Sequence, residues 1–140
     1  MPSKKQVLLQ LANGLSYLHT QDIMHGDIKP KNILISSTEE SSVQMKWTRF
    51  GFKQSNLNDS CSVTPSVTRM RPRKWWPPEM YESATKQITV KGEIFSAGCV
   101  FLYFLSGGLH PFASPDRGEY ELEMNVSSGN PVNLIRPQGN

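Results

Sequence analysis

The octapeptide from His25 to Asn32 carries side chains whose types and spacing suit the transfer of a phosphoryl group. Such a transfer needs a carboxylate that accepts the proton of the attacking hydroxyl, and Asp27 offers one. It also needs a cation near the moving phosphate and an amide oxygen on a metal ion, which Lys29 and Asn32 offer. The apolar run Ile33–Ile35 follows and predicts a strand that holds the loop. A short loop held in this way can aim all three side chains at one point. The alternative interpretation of the octapeptide is a polar turn after a helix, without a catalytic role.

The octapeptide resembles the catalytic loop of protein kinases, where Asn follows His-Arg-Asp after four residues. Asp27, Lys29 and Asn32 match that motif in type and spacing, whereas Gly26 stands where the family has Arg. The resemblance implies that Asp27 is the catalytic base, that Lys29 contacts the γ-phosphate of ATP and that Asn32 binds Mg²⁺. It also implies that Lys29, Asn32 and Leu34 contribute to cofactor binding.

The second departure from the kinase pattern lies at Arg49, which is followed by Phe and Gly. Kinases have Asp-Phe-Gly here, and the Asp carries the magnesium. Arg cannot coordinate Mg²⁺, and its charge repels the metal. Two interpretations compete: either metal-dependent phosphotransfer is lost, or the guanidinium contacts the nucleotide phosphates directly. We favour the loss of ordinary catalysis, because Asn32 is then the only metal ligand left from the motifs and the metal supplies much of the charge stabilisation.

Hydrophobic periodicity predicts the elements that position these residues. Apolar residues recur at three- and four-residue steps over Lys4–Thr20, which predicts an amphipathic helix that leads into the loop, with His19 as a helix-end residue. Val43–Trp47 alternates with period two and predicts a strand paired with Ile33–Ile35 in a hairpin. Ile94–Leu105 is apolar nearly all round, which predicts a buried helix.

The region from Lys53 to Lys74 resembles the activation segment of kinases, with many hydroxyl side chains followed by basic ones. In many kinases a phosphate in this segment pairs with the Arg of His-Arg-Asp, and Gly26 removes that Arg here. Pro72 stands where the family has a substrate-positioning Thr. Pro77–Glu79 resembles the Ala-Pro-Glu end of the segment, and the Arg that would pair with Glu79 is not identifiable. Nucleic-acid binding by this basic patch is a weaker alternative, because the net charge is only +3.

Three further residues are interpreted through the same resemblance. Glu93 replaces an Asp that holds the backbone of the catalytic loop, so a longer side chain would keep the acceptor with a changed reach. Phe50 is expected to pack near His25 in an apolar stack. His110, in a turn after the buried helix, is expected to be structural.

Three runs narrow the resemblance to the inositol-requiring enzyme family, the kinase/endoribonucleases of the unfolded-protein response. They are Leu11–His19, Lys29–Ser36 and Ile94–Phe101. The resemblance covers about residues 5–113. It implies ATP and Mg²⁺ as cofactors, although we expect this chain to bind them poorly. Family members are anchored in the endoplasmic reticulum membrane, and the resemblance implies a cytoplasmic location for the kinase part.

Composition sets the outer limits of the interpretation. The 140 residues are 37% hydrophobic, which suits one globular unit. Cys61 and Cys99 have no metal-ligand spacing and are expected to be free thiols in a reducing compartment. No secretory signal or bilayer-spanning run is expected, since Ile94–Leu105 is too short to span.

We therefore expect an α+β, mostly α fold: the core of a kinase large lobe with a small β-hairpin and without the small lobe. Residues 1–113 are predicted to form this partial kinase domain, and 114–140 a short helix over Glu119–Val126 with a poorly ordered tail. The predicted function is a degenerate Ser/Thr kinase domain without efficient phosphotransfer, with a protein partner as one option. The alternative is a functional ATP-dependent kinase segment.

Overall fold

The computed structural model describes residues 2–37, 42–49, 73–82 and 87–134. Within them the chain is mostly helical, with one antiparallel two-stranded sheet. Single 3₁₀ turns lie at Pro30–Asn32 and Arg73–Trp75. The elements are α1 (Lys4–Thr20), β1 (Ile33–Ser37), β2 (Val43–Trp47), α2 (Glu79–Glu82), α3 (Val90–Leu105) and α4 (Glu119–Ser127). The predicted mostly helical fold with a small hairpin is confirmed.

Helix α1 begins with a reciprocal cap. The Ser3 hydroxyl accepts a hydrogen bond from the Gln6 amide, and the Gln6 side chain accepts one from the Ser3 amide at 2.7 Å. Such a capping box satisfies two backbone donors that the first turn would otherwise leave unpaired. The helix buries Val7, Leu11 and Leu15 at helical spacing, as the sequence periodicity predicts.

The hairpin lies against α1 and is held to it by polar contacts. Its register pairs Ile33 with Trp47, and β1 runs two residues beyond its predicted end because the pairing continues to Ser37. Gln10 supplies both halves of its side-chain amide to β2: Oε1 accepts from the Met45 amide at 2.8 Å, and Nε2 donates to the Val43 carbonyl at 3.4 Å. The hairpin is therefore fixed to the helix that precedes the loop.

Helix α3 is the element around which the other parts pack. Thr89 caps its N-terminus through the amide of Gly92, at 3.0 Å. Its inner face joins α1 and β2 in one core made of Leu11, Leu15, Ile28, Trp47, Ala97 and Val100. The expectation that this helix is buried all round is wrong for one face, because Ile94 is 58% and Leu105 42% exposed. Among the described residues, α1 packs against one face of α3 and the region around α4 against another. The face of α3 that carries Ile94 and Leu105 is left uncovered.

Helix α4 packs near α3 on a different side from α1 and the hairpin. Leu122 and Val126 form a second cluster with Cys99 and Phe112. The predicted helix is confirmed and is one residue longer than expected. After it, residues 128–134 have no regular structure, but Asn133 donates from its side chain to the His110 carbonyl at 2.8 Å. In the described ranges, no helix has both the length and the apolar character needed to cross a bilayer.

Candidate active site

The loop between α1 and β1 brings the three predicted catalytic residues together. Lys29 Nζ lies 3.2 Å from Asp27 Oδ2. The Asn32 side-chain amide donates to the Asp27 carbonyl at 2.7 Å and to Asp27 Oδ2 at 2.9 Å. Asn32 is only 2% exposed, so its amide is fixed beneath the carboxylate. Leu34, predicted to contribute to cofactor binding, lies two residues further on in β1 and is 59% exposed.

His25 supports the loop from below in one neutral tautomer. Its Nδ1 accepts from the Asp27 amide at 3.1 Å, so Nε2 carries the proton and donates to the Thr48 carbonyl at 2.9 Å. Burial lowers the pKa of His25, an effect that the charge of Glu93 partly opposes. The neutral ring therefore joins the loop to the end of β2, and its edge meets the Trp47 ring at a centroid distance of 5.7 Å.

Glu93 of α3 fastens the other side of the loop. Its fully buried carboxylate accepts from the Gly26 amide at 2.6 Å through Oε1. The predicted acceptor role of Glu93 is thus confirmed by the geometry. Its second oxygen, Oε2, lies 2.6 Å from His19 Nε2. The sequence placed His19 at the end of α1, where it lies, but gave no indication of this partner 74 residues away.

Two residues of the site have a left-handed backbone. Gly26 has φ of 82°, a conformation that glycine adopts freely and that costs an ordinary side chain about 1–2 kcal/mol. Arg49 has φ of 57° and an exposed side chain. Thr48, just before it, donates its amide to the Asn32 carbonyl at 2.8 Å. The backbone at Arg49 is therefore joined, through Thr48, to the loop that holds the three predicted catalytic residues.

The donor set does not fit Mg²⁺. This ion requires oxygen ligands, usually one or two carboxylates in octahedral geometry. Asp27 is engaged by Lys29 and Asn32, and Arg49 presents a cation where the family has a carboxylate. The described part of the chain contains no group of three His, Cys, Asp or Glu side chains that could hold a metal ion.

Several predictions concern other positions. Phe50, Pro72, Cys61 and most of the Lys53–Lys74 region lie outside the described residues, so the packing of Phe50 on His25 stays a prediction. Glu79 is exposed and forms no ion pair with any described residue.

The remaining buried groups have structural roles. His110 lies in an aromatic cluster, 4.5 Å from Trp75 between ring centroids, and its Nδ1 accepts from the Phe112 amide. This arrangement agrees with the structural role expected for His110. Burial raises the pKa of the Cys99 thiol to about 12, which leaves it unreactive near neutral pH.

Comparisons with known proteins define the class. The protein kinase domain model matches residues 2–132. The chain therefore belongs to the protein kinase family. A structural neighbour is the crystal structure of the Rad53 kinase domain and SCD2 in complex with AMPPNP, at a TM-score of 0.63 and 24% identity. The superposition covers 93% of this chain and 42% of the neighbour. The structural similarity agrees with a kinase fold.

Within that family the chain is similar to the inositol-requiring enzyme kinases, as the sequence indicated. It is 37% identical over 125 residues to a probable serine/threonine-protein kinase, ireA, of Dictyostelium discoideum. It is 32% identical over 146 residues to the sensor for unfolded proteins in the ER, ire1, of Schizosaccharomyces pombe. It is 37% identical over 108 residues to the human serine/threonine-protein kinase/endoribonuclease IRE2. These matches cover 89%, 89% and 76% of this chain but only 11%, 13% and 12% of the relatives.

Proposed function

We propose that this chain is a degenerate segment of a Ser/Thr kinase domain that retains the catalytic loop and does not transfer phosphate efficiently. The observation that carries the proposal is Arg49, a cation at the position of the metal-binding carboxylate, on a backbone joined to Asn32 through Thr48. The retained geometry of Asp27, Lys29 and Asn32 supports their assignment as the remnant of the catalytic centre.

The relative size of the catalytic effects supports the loss of transfer. A positioned base such as Asp27 contributes typically ~10²–10⁴-fold to a rate. Phosphoryl transfer depends more on positioning and on neutralising charge on the phosphates, which the metal ions supply in kinases. With Asn32 as the only motif-derived metal ligand, the phosphate keeps its negative charge, so a hydroxyl that Asp27 deprotonates has no neutralised phosphate to attack.

A second candidate function is that of a working ATP-dependent kinase segment. The observation in its favour is the intact loop: Asp27, Lys29 and Asn32 lie within hydrogen-bonding or ion-pairing range, and Glu93 and His25 hold the loop on both sides. If Asn32 and the substrate phosphates recruited a metal, Asp27 would remain available as the base.

A phosphotransfer assay separates the two candidates. The 140-residue chain and its Asp27→Asn variant are incubated with labelled ATP, Mg²⁺ and a mixture of Ser/Thr peptides. We expect no incorporation above background in either protein. Activity in the parent chain that disappears in Asp27→Asn would establish the second candidate and overturn the first.

The setting of this function is also a proposal. The likeness to sensors and kinases of the unfolded-protein response favours a cytoplasmic location and a role through contact with another protein. We propose that such contact, rather than catalysis, is what a chain with this site contributes.

A further inference from the structure

We propose that the catalytic loop binds the polyphosphate of a nucleotide without a divalent cation, with the Arg49 guanidinium as its principal contact. The ligand class is a metal-free nucleoside triphosphate or an inorganic polyphosphate. The inference rests on the proposed function, because it assigns a ligand to a site that does not perform metal-dependent transfer.

The backbone just before Arg49 is hydrogen-bonded to the loop. The Thr48 peptide is held on both sides, by the Asn32 carbonyl at 2.8 Å and by His25 Nε2 at 2.9 Å. Arg49 follows immediately, so its backbone is attached to a peptide that is hydrogen-bonded to both Asn32 and His25. Its side chain is exposed and forms no ion pair with the described residues, which leaves the guanidinium available to a ligand.

The charges favour a free anion over its magnesium complex. Asp27 and Lys29 neutralise each other in their 3.2 Å pair, and the Asn32 amide is neutral. Arg49 and the exposed Lys31 of the loop then add positive charge that forms no ion pair with the described residues. A guanidinium binds phosphate oxygens in a bidentate manner, and its attraction grows with the negative charge of the ligand. Mg²⁺ removes charge from the nucleotide and is itself repelled by Arg49, so it should weaken binding.

The backbone conformation of Arg49 also supports a ligand-binding role for this residue. A residue with a long side chain is uncommon at φ of 57°, where Asn and Asp are enriched, and such outliers cluster at functional sites. The conformation also provides matched variants, because Arg49→Asn removes the charge and Arg49→Asp reverses it with residues that suit this backbone.

The test is a calorimetric titration of the 140-residue chain with ATP in EDTA, with ATP in excess Mg²⁺, and with inorganic tripolyphosphate in EDTA. We expect ATP in EDTA to bind at least as tightly as ATP in Mg²⁺, and tripolyphosphate to compete with it. Arg49→Asn should weaken binding in EDTA about tenfold or more, and Arg49→Asp should abolish it. Arg117→Asn, which removes the same charge in the loop before α4, is the control and should leave binding unchanged.

Binding that Mg²⁺ tightens, equal binding by Arg49→Asn, or no binding of any ligand would overturn the inference. Circular dichroism on each variant establishes that the fold is intact. The phosphotransfer assay is independent of these results: a chain that binds nothing still conforms to the proposed function, whereas a chain that transfers phosphate contradicts it even if Arg49 binds ATP.

Discussion

At the scale of single residues, two buried histidines are each held as an acceptor at Nδ1. His25 accepts there from the Asp27 amide and His110 from the Phe112 amide. Protonation of Nδ1 would turn each hydrogen bond into a contact between two donors, inside the protein where a charge is poorly solvated. Burial accordingly lowers the pKa of His25, and it lowers the pKa of His110 to about 4.

We expect the free energy of unfolding to fall as the pH drops from about 6.5 towards 4. A lowered folded-state pKa means that the unfolded chain binds more protons in this window, so the stabilisation is complete above about 6.5 and is lost progressively as the pH falls towards the folded-state pKa. For His110 the shift corresponds to about 3 kcal/mol. The measurement is urea denaturation at several pH values for the parent chain and for His110→Gln. The variant should show a shallower pH dependence, and an unchanged slope would contradict the assignment.

The residue scale also shows what the sequence could supply. The spacing of Asp27, Lys29 and Asn32 predicted that they converge, and they do so because the four residues between Asp27 and Asn32 leave little freedom. The contact between His19 and Glu93 could not be predicted, because it joins two helices far apart in sequence and depends on how they pack. The predicted roles in catalysis and in metal and cofactor binding remain predictions.

At the scale of elements, three helix glycines differ in the room that surrounds them. A Cβ at Gly14 would lie 3.6 Å from the Trp47 ring, an ordinary contact, and one at Gly98 would meet nothing within 4 Å. A Cβ at Gly92 would lie 2.8 Å from Glu79 Oε1 and 3.0 Å from Pro77 Cγ. Only Gly92 is therefore required by the packing of the described residues.

Alanine substitutions should separate these cases. Gly14→Ala and Gly98→Ala should each raise the free energy of unfolding by about 0.5–1 kcal/mol, because alanine has less backbone freedom to lose. Gly92→Ala should lower it by about 1–3 kcal/mol, since α3 must move away from Pro77. Chemical denaturation of the three variants is the measurement, and a stabilised Gly92→Ala would show that this contact yields easily.

The elements themselves were largely predictable, but their attachment was not. Apolar periodicity located α1, a continuous apolar run located α3, and alternation located β2, each within a few residues. The short helix expected over Glu119–Val126 corresponds to α4. The two hydrogen bonds from the Gln10 side chain to β2 could not be predicted from the sequence. A single glutamine on the polar side of a helix usually faces solvent, so nothing in its pattern indicated a partner. Pairing across the turn then carried β1 beyond its predicted end.

At the scale of the whole molecule, one side of α3 is apolar and open. Val90, Ile94 and Leu105 are exposed along it, beside a groove of about 600 Å³ between α1 and α3. The sequence predicted burial, because an apolar run shows that a helix should be covered without showing which elements cover it. The kinase fold was predictable from motifs, whereas the exposure of this face was not.

We expect this face to bind a hydrophobic dye and to promote self-association of the isolated chain. Ile94→Gln should reduce both effects while changing the free energy of unfolding by no more than about 0.5 kcal/mol. Leu11→Ala, in the core, should instead cost about 2–5 kcal/mol without lowering dye binding. Dye fluorescence and light scattering provide the comparison. Equal dye binding by the parent chain and Ile94→Gln would show that the dye binds to a different apolar surface and would contradict this prediction.

Because Trp47 contacts His25, the fluorescence of Trp47 can report changes in the loop. Trp47 is buried, and its indole donates to the Leu11 carbonyl while its ring meets the edge of His25. Whatever displaces the catalytic loop, whether a proton on His25 or a ligand above it, alters the surroundings of this indole. With Trp75 and Trp76 replaced by Phe, the emission of Trp47 would then report the state of the loop in real time, without a label and without any need for turnover.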